Sequence, residues 1–320
     1  MRAHEAGALH AEVGVRGPTW LRPPADVNAL LSPLWPRTVS RGEDGALWVA
    51  GCSVCELAQR FGTPSYVLDE TDLRARCRDF RTAFAGFGVF YAAKAFCCRA
   101  TVRIIAEEGL NLDVCTGGEL AVALAAGMPA ERIKLHGNNK SPAELSRALD
   151  AGLGWIVVDS FDEIDRLTAL ARERGQRPRV MVRVTVGVEA HTHAYIATAH
   201  EDQKFGFSLA GGAAFAAVER ILTDGVLELA GLHSHIGSQI FDASGFEVSA
   251  RRVLGLHDAV RSQSGVILPE LDLGGGFGIA YTSQDHPATP AELATRLTTI
   301  VEQECAGRGL AVPQLSIEPG

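Results

Sequence analysis

The stretch Val89-Phe-Tyr-Ala-Ala-Lys-Ala95 decides how this chain is read. Val89, Phe90 and Tyr91 have the β-branched and aromatic character of a buried strand, Ala92 and Ala93 are small, and a helix-like segment opens at Arg99. Lys94 therefore stands where a strand ends, at the mouth of a sheet. A lysine taken alone is usually a surface side chain with its stem along apolar surface. The rest of the chain changes that reading, because strand and helix alternate without interruption from Val89 onward. The strands expected are Val89 to Tyr91, Leu110 to Val114, Ile133 to His136, Trp155 to Val158, Val180 to Thr185, Glu228 to His235, Glu270 to Leu273 and Leu315 to Ile317. Thr116-Gly-Gly-Glu119, Ser141-Pro-Ala-Glu144 and Ser160-Phe-Asp-Glu163 read as capping boxes that start helices just after three of them.

Eight apolar strands with crossover helices point to α/β architecture and a closed, TIM-type (β/α)8 barrel rather than an open doubly wound sheet. The open sheet would want G-x-G-x-x-G, and the glycine cluster Gly274-Gly-Gly-Phe-Gly278 has Ile279 where the third glycine should fall. His136-Gly-Asn-Asn-Lys-Ser141 has no glycine before Lys140 and is no Walker motif. Ahead of the barrel, residues 1–37 are proline-rich and read as an irregular arm. Residues 38–68 read as strands: a hairpin within Arg37 to Val54, a short helix from Glu56 to Phe61 and a strand at Pro64 to Leu68. Thr71 to Phe84 reads as a helix, and the barrel region is taken as 69–320.

At 320 residues, 47% hydrophobic and 21% charged, the composition is globular and no apolar run approaches a membrane span. The N-terminus lacks an apolar leader, which makes the cytoplasm the expected compartment and reduced thiols the expected state of the seven cysteines. Cys52-Ser-Val-Cys55 has no second pair at zinc-ribbon spacing and reads as incidental. A net charge of −8 gives no electrostatic reason to expect nucleic acid or an anionic membrane as partner.

In such a barrel, chemistry sits where the strands end. The ends carry Lys94, Asp113, Asn138 and Asn139, Asp159, Arg183, His235 with Ser238, Gly274 to Gly276, and Glu318. A lysine can form an imine with a carbonyl. A triple glycine exposes backbone N–H groups that suit a phosphate, although it can equally be a tight loop. His233 and His235, two apart on a strand, could form a metal pair with His191, His193 or His200; no metal is the expectation favoured. His235 could instead stack on a flat ring, and Glu318 could keep a ring nitrogen protonated.

Lysine, phosphate loop, stacking histidine and ring carboxylate together describe pyridoxal phosphate. The sequence resembles the alanine-racemase-like barrels that use it, and among them the diaminopimelate decarboxylases, through YAAKAF (91–96), LDVCTGGEL (112–120), HGNNKS (136–141), HSHIGSQ (233–239), DLGGGFG (272–278) and EPG (318–320). The resemblance implies that Lys94 is the Schiff-base lysine, that His235 stacks on the cofactor, and that Ser238, Gly274, Gly275 and Gly276 bind its phosphate. It further implies Glu318 on the ring nitrogen, Pro319 and Gly320 in the adjoining turn, and Asp113 and Arg183 among the cofactor-binding residues. The implied activity is decarboxylation of meso-diaminopimelate to L-lysine, the last step of lysine synthesis, by a homodimer. An ornithine- or arginine-type decarboxylase and a non-catalytic binder of the same fold are the alternatives.

The family motif continues E-P-G-R, and family members carry a C-terminal β-domain that receives the N-terminal strands. The chain is accordingly expected to be a partial version, with that β-domain incomplete. The outer faces of the eighth and first barrel strands, Leu315 and Ile317 included, are expected to be partly bared, and the chain alone is expected to aggregate and to lack activity.

Overall fold

The computed structural model describes residues 26–320 apart from 27, 33, 188–203 and 242–243. It divides into two compact units, Met1–Asp69 and Glu70–Gly320. In the first, β1 (Ser40–Arg41), β2 (Leu47–Val49) and β3 (Cys52–Ser53) form an antiparallel meander, followed by helix α1 (Val54–Phe61). The expected hairpin is thus one strand richer. Its second turn is Ala50-Gly51, both residues at positive φ (49° and 80°), the twist a two-residue connection needs. Alanine is an unusual carrier of that conformation, which hides the turn in the sequence. Pro64 to Leu68 is not a strand: the backbone there makes no ladder with any described segment.

The second unit opens with α2 (Glu70–Ala83) and continues β4 (Gly88–Ala92), α3 (Arg99–Glu107), β5 (Asn111–Val114), α4 (Gly117–Ala125), β6 (Ile133–Leu135), α5 (Pro142–Ala151), β7 (Trp155–Val158), α6 (Phe161–Arg174) and β8 (Arg179–Thr185). A short β9 (Phe207–Ser208) extends the end of β8, and α7 (Ala213–Asp224), β10 (Glu228–His233), α8 (Ser244–Ser264), β11 (Glu270–Asp272), α9 (Pro290–Arg308) and β12 (Gln314–Ile317) complete the order. All barrel pairings are parallel, β12 pairs with β4, and β10 pairs with both β8 and β11, so eight strands close into a barrel. The eight expected strands are all present.

Two of the three expected capping boxes are complete, at Thr116/Glu119 and Ser141/Glu144. At the third, Ser160 accepts from the Glu163 N–H but the Glu163 carboxylate does not reach back. It is taken by the buried Lys140 ammonium at 2.7 Å. A further box, Thr289/Glu292, starts α9.

Strand alternation sorts the residues into two layers. Leu112, Ile133, Leu135, Val158, Val182, Leu232, Leu271 and Ile317 belong to the large apolar core that runs between the strands and the helices. Val157, Met181 and Ala230, with Trp155 against them, form a separate small cluster, the apolar floor of the barrel interior. A shift of register between Leu229 and Gly231 lets β10 send Ala230 into this cluster and Leu232 into the outer core.

The outer face of the barrel seam is covered, contrary to expectation. Helix α2, which precedes the first barrel strand, packs between α9 and α3, and Phe80 and Phe84 at its end join the core cluster that holds Val89, Leu315 and Ile317. Leu315 is 5% exposed and Ile317 is fully buried. On α2 and the turn after it, Phe80, Phe84 and Phe87 supply the aromatic surface; Phe84 meets Phe87 edge-on at 5.3 Å between centroids. Strand-to-helix order in the sequence assigns that cover to a helix beyond the last strand, whereas the chain supplies it from ahead of the first.

Candidate active site

Each strand end delivers its side chain to one mouth. Lys94 lies in a 3-10 turn just past β4 and is exposed. Its charge acts on Asp113, on Cys115 and on His235, which places the lysine among them. Below this level the interior is filled by buried ionisable groups where aliphatic layers would be ordinary.

Glu318, just beyond β12 and 7% exposed, is the hub. His136, one residue past β6, donates Nε2–H to Oε1 at 2.8 Å; His233, the last residue of β10, donates to Oε2 at 3.2 Å; and the Lys134 ammonium is 3.4 Å from Oε1. Burial alone would raise the Glu318 pKa, but the two imidazoles and Lys134 outweigh it and hold the carboxyl well below the usual range. His136 is pushed down to about 3, chiefly by burial, so it is the neutral ring that donates from Nε2. Asp113 goes the other way: burial and the neighbouring Glu318 charge raise it well above a normal carboxyl, with Lys94 and Lys134 opposing. The two carboxyls at the mouth are thus shifted in opposite directions.

The glycine loops interlock at the mouth. A Cβ on Gly276 would lie 1.8 Å from the Gly237 carbonyl oxygen, and one on Gly275 would lie 1.9 Å from that of Glu318. Only glycine permits these approaches, and Gly276 also sits at φ +92°. Ile240 N–H donates to Gly276 O at 2.9 Å and Gly278 N–H returns to Ile240 O at 3.0 Å, which ties the loops after β10 and β11 together. Gly275 N–H donates to His235 Nδ1 at 3.3 Å. An N–H can only donate, so Nδ1 is the bare nitrogen, in accord with the lowering of the His235 pKa by burial and by the charges of Arg183 and Lys94.

Several expected residues take other places. His233 and His235 do not share a strand face, because β10 ends at His233: His233 is buried on Glu318, whereas His235 is half-buried on the glycine loop. His191, His193 and His200 lie outside the described residues. Asn138 is exposed and donates to Lys204 O, and Asp159 accepts from Gly206 N–H at 2.9 Å. Arg183 holds its guanidinium 4.4 Å over the Phe205 ring and 3.9 Å from Asp159. Ser238 stands in the loop after β10, and Pro319 O accepts from Ala92 N–H at 2.9 Å, which brings the Pro319-Gly320 turn beside the Lys94 strand. Lys134 and Ser316 join the site without a sequence signal of their own, and His136 and Asp272 join it from the ends of quoted motifs that assign them no role. Lys134 and Ser316 alternate with apolar neighbours on their strands, a pattern that also fits ordinary half-buried positions.

A family model described as pyridoxal-dependent decarboxylase, pyridoxal binding domain, matches residues 70–320. The chain belongs to that family. Among its relatives, the diaminopimelate decarboxylase of Mycobacterium leprae is 54% identical, covering 100% of this chain and 69% of the relative. That of Mycobacterium tuberculosis is 56% identical over 90% of this chain and 65% of the relative. A solved diaminopimelate decarboxylase from M. jannaschii in complex with L-lysine aligns with a TM-score of 0.83 at 31% identity, covering 90% of this chain and 67% of that one. The chain thus spans about two thirds of the length of these relatives, and among the pyridoxal-dependent decarboxylases it groups with those that bear the diaminopimelate name.

Pyridoxal phosphate is the cofactor of this decarboxylase family, and the donor set here fits it. Glu318 is anionic, and its Oε2 accepts one hydrogen bond among the described residues, which leaves a lone pair for a protonated ring nitrogen. Lys94, the two glycine loops and a neutral imidazole surround the same mouth. His136, His233 and Glu318, with ligand atoms within 4.8 Å of one another, also have metal-ligand composition. In that trio both imidazoles turn their Nε2 atoms to the Glu318 carboxylate. No helix among the described residues is long and apolar enough to cross a membrane.

Proposed function

We propose that the barrel mouth holds pyridoxal phosphate and decarboxylates meso-diaminopimelate to L-lysine. The observation that carries this reading is Glu318: a buried, ionised carboxylate kept so by two imidazoles and an ammonium, within reach of the strand end that bears Lys94. Bound pyridoxal phosphate supplies an electron sink for the pair left behind when CO2 departs. Glu318 would keep the ring nitrogen protonated, and His235 would be the imidazole beside the ring. Lys94 would be the residue whose amine holds the cofactor's aldehyde group. Ser238 and the backbone of Gly274, Gly275 and Gly276 take the phosphate, with Asp113 and Arg183 completing the pocket. Pro319 and Gly320 fix the turn that sets Glu318 against β4.

The specific substrate is inferred from the mycobacterial relatives and from the M. jannaschii enzyme crystallised with L-lysine. Residues 38–68 are assigned to a β-domain and 69–320 to the cofactor barrel; the working form is taken as a cytoplasmic homodimer, which size-exclusion chromatography with light scattering would test. The reading as a whole is tested by reconstitution with pyridoxal phosphate. The full-length protein should gain a visible absorption band and release CO2 from meso-diaminopimelate, and Lys94→Ala should lose both. A Lys94→Ala protein with an unchanged band would overturn the assignment.

A further inference from the structure

Lys134 sits at the centre of β6 with its side chain fully buried. Its ammonium forms an ion pair with Asp272 of β11, lies 3.5 Å from Ser316 Oγ of β12 and 3.4 Å from Glu318 Oε1, and caps the Phe90 ring of β4 at 3.8 Å from the centroid. Asp272 accepts from Ser316 Oγ–H at 2.8 Å and, through its other oxygen, from Gly274 N–H at 2.7 Å. One cation therefore touches both the carboxylate assigned to the ring nitrogen and the residue that roots the phosphate-binding glycine loop. A buried charge is tolerated only where partners offset its lost hydration, and here the offset is mutual. Burial pulls the ammonium down, but Asp272 and Glu318 outweigh it and keep it charged.

We propose that Lys134 is a positioning residue for the cofactor: it fixes the Glu318 carboxylate in place as an anion beneath the mouth, so that a bound ring nitrogen keeps its proton. This rests on the proposed cofactor. The alternative is that Lys134 merely neutralises Asp272 as a core ion pair. The two differ in what happens to Glu318. The titratable groups facing it are His136 just past β6, His233 on β10, Asp113 on β5 and Asp272 on β11, with Cys115 and His235 in range at the mouth. Burial pushes His136 down to about 3 and raises Asp113, so neither adds a cation, and the Lys134 ammonium stands 3.4 Å from Glu318 Oε1. Without it, Glu318 faces the Asp272 charge with hydrogen bonds alone, and its protonation moves to higher pH.

The test is Lys134→Met in the protein reconstituted with pyridoxal phosphate. The visible spectrum of the bound cofactor is titrated with pH, kcat and KM are measured across the same range, and melting is followed separately. The variant should still bind cofactor and show kcat reduced about tenfold or more with KM little changed. The acid midpoints of the spectrum and of kcat should both rise by about one pH unit or more. Lys134→Met with Asp272→Asn removes the unpaired charge and should show a smaller shift of the same sign. It takes the place of the single variant if that one does not fold. A lower melting temperature with parental acid midpoints would reduce Lys134 to a core ion pair and overturn the proposal. A parent protein with no visible band would instead overturn the cofactor reading; a parent with the band and an unshifted variant overturns only the role of Lys134.

Discussion

Glu318 accepts a different donor on each side of its carboxylate, and its value to the site is its charge. Glu318→Gln keeps the shape but offers the buried Lys134 a neutral partner. Cofactor binding should survive, while decarboxylation slows by about 10² or more, because a preorganised charge aimed at the reacting system is lost. Equal kcat in variant and parent would remove Glu318 from the ring nitrogen. A second single-residue effect lies away from the site. His257 on α8 is 5% exposed, its Nε2 has no hydrogen-bond partner among the described residues, and burial lowers its pKa from 6.5 to about 4. Between those values the unfolded chain binds a proton that the folded protein refuses, so stability falls as pH falls. The cost is about 1.4 kcal/mol for each pH unit. Urea unfolding at pH 6.5 and 4.5 should show His257→Leu losing less stability than the parent by roughly that slope. A difference independent of pH would mean that the imidazole is hydrated.

At the scale of elements, the site depends on two loops that can approach each other only through glycine. Gly276→Ala asks for a side chain where the Gly237 carbonyl already is, on a backbone at positive φ. Opening the loops enough to admit it should weaken cofactor affinity by about tenfold or more, that is by ~1.4 kcal/mol or more, with the barrel intact. Spectrophotometric titration with pyridoxal phosphate measures this directly, and unaltered affinity would show that the loops do not hold the phosphate. The glycines are visible in the sequence, as are the strands, since apolar runs followed by Thr116 or Ser141 caps are local signals. Less local features stay hidden. Lys134 looks like any polar position between Ile133 and Leu135, and its partners lie far along the chain, with Glu318 separated from it by 184 positions. Glu163 has the spacing of a cap, but its carboxylate belongs to Lys140.

For the whole molecule, the covered seam matters most. Phe80 and Phe84 on α2 and the turn after it lie 6.4 and 6.5 Å from the ring of Phe277, which follows the glycine loop, and Phe246 of α8 lies 5.3 Å from that ring. Phe84 is 1% exposed, so Phe84→Ala should cost about 3–5 kcal/mol of stability and, by loosening Phe277, some cofactor affinity as well. Calorimetry of the variant, with and without pyridoxal phosphate, separates the two effects; a loss well under ~1 kcal/mol would mean that α2 is not what seals the barrel. The expectation that Leu315 and Ile317 are bared fails for the same reason.

That seam also sets an order of events during synthesis. Helix α2 leaves the ribosome before any barrel strand, yet the β12 strand it covers is the last of the eight to emerge, and the contact from Gln314 to Gly86 spans 228 positions. Until that late strand arrives, the nascent chain carries an aromatic helix with no surface to close on and a curled sheet with two raw edges. Ring closure is therefore a single late step with a large loop-entropy cost, the kind of topology that folds slowly and benefits from being shielded while it waits.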